Sequence, residues 1–150
     1  MSSLRISLLV VSLATMCVAA ACGGSSPASP SPSSGVSSLT TTDVRVGTGA
    51  EATAGKRLTV NYTGWLYSTS GIDNKGTQFD TSVGKVPFTF VLGAGSVIQG
   101  WDRGLVGMRV GGIRRLVIPS TLAYGSAGAG GGIIPPNASL VFDVELLDVP

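Results

Sequence analysis

The sequence contains no histidine among its 150 residues. Imidazole is the commonest general base among side chains and a frequent metal ligand. The Ser-His-Asp triad and the Cys-His pair both depend on it. Serine is abundant, but without a histidine no base is identified for a serine nucleophile. The usual hydrolytic machinery is therefore excluded, and the protein has to act without imidazole.

Charged residues are also scarce, at 12% of the chain, and the formal net charge is +2. No basic cluster is longer than the pair Arg114 and Arg115, so we expect no nucleic-acid partner. The aspartates are scattered rather than clustered, so we expect no metal site. The stretch GAEATAGKR from Gly49 has the wrong spacing for a phosphate loop, with Arg57 where Ser or Thr is needed. We therefore expect no cofactor.

Only two cysteines are present, and both belong to the N-terminal region. A single positive charge at Arg5 precedes a mostly apolar run, residues 6–21, which is too short to span a membrane and is typical of a secretory signal peptide. Cys17 lies inside this run and Cys22 follows it. The segment VAAAC resembles a bacterial lipobox, in which the cysteine is acylated, although Ala19 stands where Leu is usual. We expect lipidation at Cys22, with plain cleavage after an Ala-x-Ala site as the alternative.

The residues after Cys22 have a different composition from the rest of the chain. The stretch GGSSPASPSPSSGVSS is rich in Ser, Gly and Pro and carries no charge, so it cannot bury enough apolar surface to fold. We predict a signal peptide over residues 1–21, a lipidated cysteine and disordered tether over residues 22–39, and one folded domain over residues 40–150.

Short apolar stretches between glycines predict a β-rich domain. Apolar and polar residues alternate in residues 58–63, the segment 88–92 has a shared apolar face, and residues 116–118 are a short apolar run. The strongest pattern is residues 140–146, where Asp143 and Glu145 alternate with apolar residues, as expected for an antiparallel strand with one wet face. We predict an α+β fold, a curved antiparallel sheet of about five strands around one short helix.

One segment, SVIQGWDRGLVGM over residues 96–108, has helical spacing. Ser96 and Gln99 are spaced as a capping box, and Trp101 shares one face with other apolar residues. Gly100 and Gly104 each weaken a helix by about 1 kcal/mol relative to alanine, so the helix must be held by packing. The Pro-Pro step at Pro135 cannot continue a sheet ladder, so residues 127–136 are expected to form a loop over one end of the sheet.

Several motifs occur together in one order along the domain: VNYTGWL, TQFDTS, VPFTF, SVIQGWDRGL, LAYGS, GIIPP and LVFDVELL. In this order they closely resemble the FKBP-type peptidyl-prolyl cis-trans isomerases, and the resemblance covers essentially residues 40–149. It implies an FKBP-like fold and rotation about Xaa-Pro bonds. It also implies catalytic roles for six residues, namely Tyr62, Phe79, Asp80, Trp101, Tyr124 and Phe142. The substrate-binding residues that it implies are Phe88, Val97, Ile98, Ile133 and Ile134.

The resemblance also implies a specific role for several of these residues. Trp101 is expected to lie beneath the proline ring, the Ile98 amide and the Tyr124 hydroxyl to bond the ligand, and Asp80 to be linked to Tyr62. Ile133 is expected on an apolar rim beside Ile134. Departures from the family pattern include Ser96 in place of a common acidic residue and a lengthened loop at residues 127–132. They affect the residues expected at the edge of the pocket more than those expected beneath the proline ring.

The expected partners are proline-containing polypeptides and macrolides such as rapamycin, with a membrane contacted only through the lipid anchor. We expect a monomer, exported to the cell envelope and held at the outer membrane if the source has one. There the isomerase would assist the folding of envelope or secreted proteins. Two other functions fit the same residues: a proline-peptide binding module or holdase chaperone with incidental isomerase activity, and an interaction scaffold.

Overall fold

The structure, a computed structural model, describes residues 36–150. The predicted signal peptide, Cys22 and nearly all of the predicted tether lie outside the described residues. Leu39, at the end of the predicted tether, packs against the hydrophobic core. Within residues 36–150, no helix has the length and apolar character needed to cross a membrane.

Six antiparallel strands and one α-helix make up the domain, and these elements confirm the predicted α+β class. Their bounds are β1 (Thr40–Arg45), β2 (Arg57–Tyr67), β3 (Lys75–Thr81), β4 (Phe88–Val91), α1 (Gln99–Gly104), β5 (Ile113–Ile118) and β6 (Leu140–Asp148). The sheet order is β1-β5-β6-β2-β3, and β4 also pairs with β2. The long strand β2 therefore pairs with β6 along one side, and with β4 and then β3 along the other.

Two strands, β1 and β3, have no clear apolar alternation in the sequence. Every residue of β1 is exposed, because this strand lies at the sheet edge and pairs only with β5. β3 has the polar sequence KGTQFDT and contains no fully buried residue. A strand that buries no complete face leaves no period-two pattern of hydrophobicity, so the sequence does not reveal it.

Strand β6 has the predicted register. Leu140, Phe142 and Val144 are buried, while Asp143 and Glu145 face the outer side of the sheet. The Asp143 carboxylate accepts hydrogen bonds from Arg115 at 2.7 and 3.0 Å and from Lys75 at 2.6 Å. Partial burial acts to raise the pKa of Asp143, but these hydrogen bonds and positive charges outweigh it and lower that pKa. The wet face is therefore held by ion pairs, and a slip of one residue would bury both carboxylates.

Helix α1 is shorter than predicted, because it covers Gln99–Gly104 rather than residues 96–108. The predicted capping box is wrong: Ile98 is the N-cap residue, and no side chain caps the helix. The Ser96 hydroxyl instead lies 3.4 Å from the Val91 carbonyl. The loop that precedes the helix is held by Asp102, whose carboxylate accepts hydrogen bonds from the backbone amides of two loop glycines. The entry to α1 is thus fixed from inside the helix.

Gly100 and Gly104 are buried because α1 lies directly against β5. A Cβ atom on Gly100 would be 2.4 Å from Ile118 Cγ2, and one on Gly104 would be 2.7 Å from Leu116 Cδ2. Both distances are too short for carbon atoms in contact. The two glycines that weaken the isolated helix therefore permit its packing against the sheet.

The predicted loop before β6 is present as a series of tight turns between residues 125 and 136. Ala129 and Ile134 exchange backbone hydrogen bonds of 3.0 and 3.1 Å, which close the loop on itself. Gly128 has a φ of 63°, and a Cβ there would be 2.3 Å from the Ile134 carbonyl oxygen, so only glycine fits. The loop buries Ile134 in the core and leaves Ile133 60% exposed.

Candidate active site

A cavity of about 180 Å³ opens between α1 and the inner face of the sheet. Its lining is mostly aromatic and aliphatic, with one carboxylate. The lining residues are Tyr62, Phe79, Asp80, Phe88, Ser96, Val97, Ile98, Trp101, Tyr124 and Phe142. A concave, largely apolar site with few polar groups is the usual form of a small-molecule or side-chain binding pocket.

Trp101, from the first turn of α1, forms the floor of this cavity. It is only 4% exposed, and its ring is in edge contact with the rings of Tyr62 and Phe142 at centroid distances of 5.2 and 5.3 Å. Phe88 and Phe90 contact the same indole at 6.1 and 5.6 Å. The floor is held on several sides by rings, so its position depends on the whole cluster rather than on α1 alone.

Each of four strands contributes one aromatic side chain to the walls: Tyr62 from β2, Phe79 from β3, Phe88 from β4 and Phe142 from β6. Because strand side chains alternate between faces, one inward residue from each neighbouring strand produces a continuous aromatic surface. Phe79 meets Phe142 edge to face at 5.5 Å, and Tyr62 meets Phe88 at 6.0 Å.

The polar side of the cavity is organised around Asp80. The Tyr62 hydroxyl donates to Asp80 Oδ2 at 2.5 Å, and the Thr81 amide donates to Oδ1 at 2.8 Å. Burial raises the pKa of Tyr62, and the hydrogen bond to Asp80 raises it further. Burial and the Asp80 charge also raise the pKa of Tyr124. Both phenols therefore keep their protons at neutral pH and can serve as hydrogen-bond donors.

Unpaired donors also lie at the cavity. Among residues 36–150, no acceptor is found for the Ile98 amide or the Tyr124 hydroxyl, and both residues line the cavity. The Trp101 Nε1 atom is buried and has no hydrogen-bond partner in the described part of the chain. The Ile98 amide and the Tyr124 hydroxyl are therefore available to a bound carbonyl group, because polar groups in folded proteins usually have partners.

The structure brings together nine of the eleven pocket residues that the sequence indicates. The other two, Ile133 and Ile134, do not line the cavity, since Ile133 is exposed to solvent and Ile134 is part of the core. Ser96 lines the cavity although the sequence did not place it there; its position directly before Val97 was the available signal. Phe90 lies behind the wall, stacked on Phe88 at 5.7 Å.

Groups that could ligate a metal ion or carry a negative charge are few around this cavity. In the part of the chain that the structure describes, no three His, Cys, Asp or Glu side chains come together to hold a metal ion. Asp80 is the only carboxylate in the cavity lining. The site is thus a largely apolar cavity with a few oriented hydrogen-bond donors.

Comparison with known proteins gives consistent results. The family model for FKBP-type peptidyl-prolyl cis-trans isomerase matches residues 49–147. An FK506-binding protein of Neisseria meningitidis serogroup A is 51% identical over 113 residues, which are 75% of this chain and 96% of the relative.

Solved structures agree with the sequence comparison. A peptidyl-prolyl cis-trans isomerase from Pseudomonas syringae is 41% identical, with a TM-score of 0.61 and coverage of 74% of each chain. FkpA from Escherichia coli is 46% identical, with a TM-score of 0.61 over 74% of this chain and 47% of FkpA. The aromatic cavity is present, and the family model and the relatives match most of the chain. The protein therefore belongs to the FKBP-type peptidyl-prolyl cis-trans isomerase family.

Proposed function

We propose that the aromatic cavity binds proline residues of exported polypeptides and accelerates rotation about the preceding Xaa-Pro bond. The observation that carries this proposal is the indole floor of Trp101, enclosed by aromatic rings and bordered by donors that have no partner within the domain. A proline ring is small, apolar and cyclic, which suits a cavity of about 180 Å³.

The mechanism follows from what holds an amide planar. Resonance gives the Xaa-Pro bond a rotational barrier of about 18–20 kcal/mol, and the resonance form carries separated charge that water stabilises. An apolar cavity withdraws that water, and so it favours the twisted, less polar transition state. The Ile98 amide and the Tyr124 hydroxyl are available as donors to the substrate carbonyl groups. No covalent bond is made or broken.

The activity can be tested with the purified protein and short Xaa-Pro peptides. We expect isomerisation to be much faster than the uncatalysed process, which takes tens of seconds or longer. FK506 or rapamycin is expected to compete for the same cavity and to suppress the rate. Peptide binding without acceleration would instead support the holdase or binding-module alternative.

Proton transfer has no part in this mechanism, so the rate is expected to be nearly independent of pH. The raised pKa values of Tyr62 and Tyr124 move loss of their protons further above neutrality, and histidine is absent. We expect kcat/KM to be flat between about pH 6 and pH 8.

Asp80→Asn should lower kcat/KM about tenfold, or about 1.4 kcal/mol, because the amide keeps the shape of the carboxylate but is a weaker acceptor for Tyr62.

The matched control is Asp148→Asn, which removes the same charge at an exposed position outside the cavity and should leave the rate unchanged. A bell-shaped pH profile near neutrality, or complete inactivation of a folded Asp80→Asn variant, would show that Asp80 transfers a proton. In that case the desolvation mechanism would be wrong.

We also propose that the protein is anchored at the cell envelope, and this part of the proposal rests on the sequence alone. The apolar run that ends before Cys22 supports export, and VAAAC supports acylation of the cysteine. The Ser-, Gly- and Pro-rich segment then acts as a tether, and the isomerase assists folding of other exported proteins. By the usual sorting rule, Gly23 after the cysteine favours the outer membrane if the source has one.

We expect Cys22→Ala to release the protein from membrane fractions while kcat/KM toward short peptides stays unchanged. The thiol is the proposed acylation site, and it precedes the domain that carries the cavity. Cell fractionation and mass measurement of the processed chain provide the readouts, with Cys17→Ala as the control. Equal membrane association of wild type and Cys22→Ala would contradict lipidation.

A further inference from the structure

A second groove adjoins the aromatic cavity. It has a volume of about 420 Å³ and is lined by Arg57, Phe88, Thr89, Phe90, Val91, Ala94 and Ser96. Phe88 and Ser96 also line the aromatic cavity, so the two spaces share a wall. The groove is therefore adjacent to the cavity along Phe88 and Ser96.

The groove follows the open edge of β4. This strand pairs only with β2, and Leu92, which follows it, donates to the Lys56 carbonyl at 2.9 Å. Hydrogen-bonded pairs alternate along antiparallel strands, so the backbone of Thr89 faces away from β2. Among residues 36–150, no hydrogen-bond partner is found for the Thr89 backbone on that side. An extended peptide can pair with such an edge.

The far end of the groove carries a positive charge without a partner. Arg57 lies opposite Val91 in the pairing of β2 with β4, and its side chain is exposed. Five other cations in residues 36–150 form ion pairs with carboxylates: Arg45, Lys75, Arg109, Arg114 and Arg115. No carboxylate within the described domain pairs with Arg57. Its guanidinium is therefore available to a ligand.

We propose that this groove is an extended substrate subsite, in which the polypeptide flanking the proline lies along β4 and Arg57 selects an acidic residue. The proposal rests on the proposed isomerase function, because it takes the proline to be held over Trp101. The occupant is the substrate itself, since its chain has to continue beyond the cavity and the groove borders that cavity at Phe88 and Ser96.

The strand geometry predicts where the acidic residue stands. Val91, opposite Arg57, is three residues beyond Phe88, a distance of about 10 Å along a strand. An extended substrate covers the same distance in about three residues. For a substrate that leaves the cavity past Phe88, the selected side chain is therefore an Asp or Glu about three positions from the proline, on one side of it only. A tetrapeptide centred on Xaa-Pro is too short to reach Arg57.

The test compares nonapeptides that have a central proline and either Glu or Gln about three positions before or after it. For one of these two positions, we expect Glu to raise kcat/KM about two- to fivefold over Gln, the range for an exposed ion pair. Arg57→Gln should remove this preference, while kcat/KM for the Gln peptide and for a tetrapeptide stays unchanged. About 0.5 M salt should weaken the preference in the wild type.

Lys85→Gln is the matched control, because Lys85 is an exposed cation that forms no ion pair within residues 36–150 and lines neither space. The preference should persist in this variant. No preference for Glu at either position, a preference that survives Arg57→Gln, or an equal loss in Lys85→Gln would overturn the subsite. Turnover of the tetrapeptide by the same samples tests the isomerase function separately, since its absence would contradict that function rather than the subsite alone.

Discussion

Trp101→Ala is expected to lower kcat/KM at least about a hundredfold, or about 2.7 kcal/mol, and to lower the free energy of unfolding by about 3–5 kcal/mol. The indole is 4% exposed and contacts four other aromatic rings, so its removal leaves a large hole beneath the site. Water can then enter the cavity, and the twisted amide loses its apolar surroundings. Isomerase assays and denaturant unfolding of the same samples measure the two effects.

Trp101→Phe separates the loss of the floor from the loss of the indole N–H. A phenyl ring keeps much of the apolar surface, and it removes a buried Nε1 donor that has no partner in the domain. We expect this variant to stay folded and to keep a large part of the activity, because an unsatisfied buried donor contributes nothing to stability. Full activity in folded Trp101→Ala would show that the indole is not the floor of the site.

Gly100→Ala is expected to destabilise the protein by about 1–3 kcal/mol, the usual range for overpacking. Helix propensity alone predicts the opposite sign, a gain of about 1 kcal/mol. The added methyl group would be placed 2.4 Å from Ile118 Cγ2 and 2.7 Å from Ile118 Cδ1, so the Ile118 side chain or α1 has to shift. Because Trp101 is the next residue, the same movement should reduce activity.

A double-mutant cycle with Ile118→Ala identifies the contact responsible. This truncation removes the atoms that the new methyl group would meet, so Gly100→Ala should have a much smaller effect, or a favourable one, in the Ile118→Ala background. Unfolding free energies from denaturant titration of the four proteins give the coupling. If Gly100→Ala has the same destabilising effect in both backgrounds, contact with Ile118 is not its cause.

The sequence motifs indicated most of the residues that line the cavity. They did not indicate which residues at its edge would be covered and which exposed. Tyr62, Phe79, Phe88 and Phe142 come from strands or motifs with a recognisable pattern, and all four line the cavity. Ile133 and Ile134 are chemically identical neighbours, so the sequence cannot tell which of them is covered. The hydrogen bonds between Ala129 and Ile134 decide this by turning one side chain inward and the other outward.

The helix was predicted in the right segment, but its bounds and its capping box were wrong for a related reason. The spacing of Ser96 and Gln99 fits a capping box, but the loop before α1 is bonded to Asp102 and the Ser96 hydroxyl faces Val91. Local spacing indicates which contacts are possible within one segment. It does not include the competing partners that tertiary folding brings to the same atoms.

The sequence by itself determined the α+β class with an antiparallel sheet, the register of β6 and a mechanism without imidazole, because these depend on residue identity and on alternation along one strand. Only the tertiary structure decided that the two helix glycines permit packing, that Ile134 is buried, and that Arg57, in the adjoining groove, forms no ion pair within residues 36–150. Each of these depends on distances between atoms far apart in the chain. Such distances are set when packing of the sheet, helix and loops is complete.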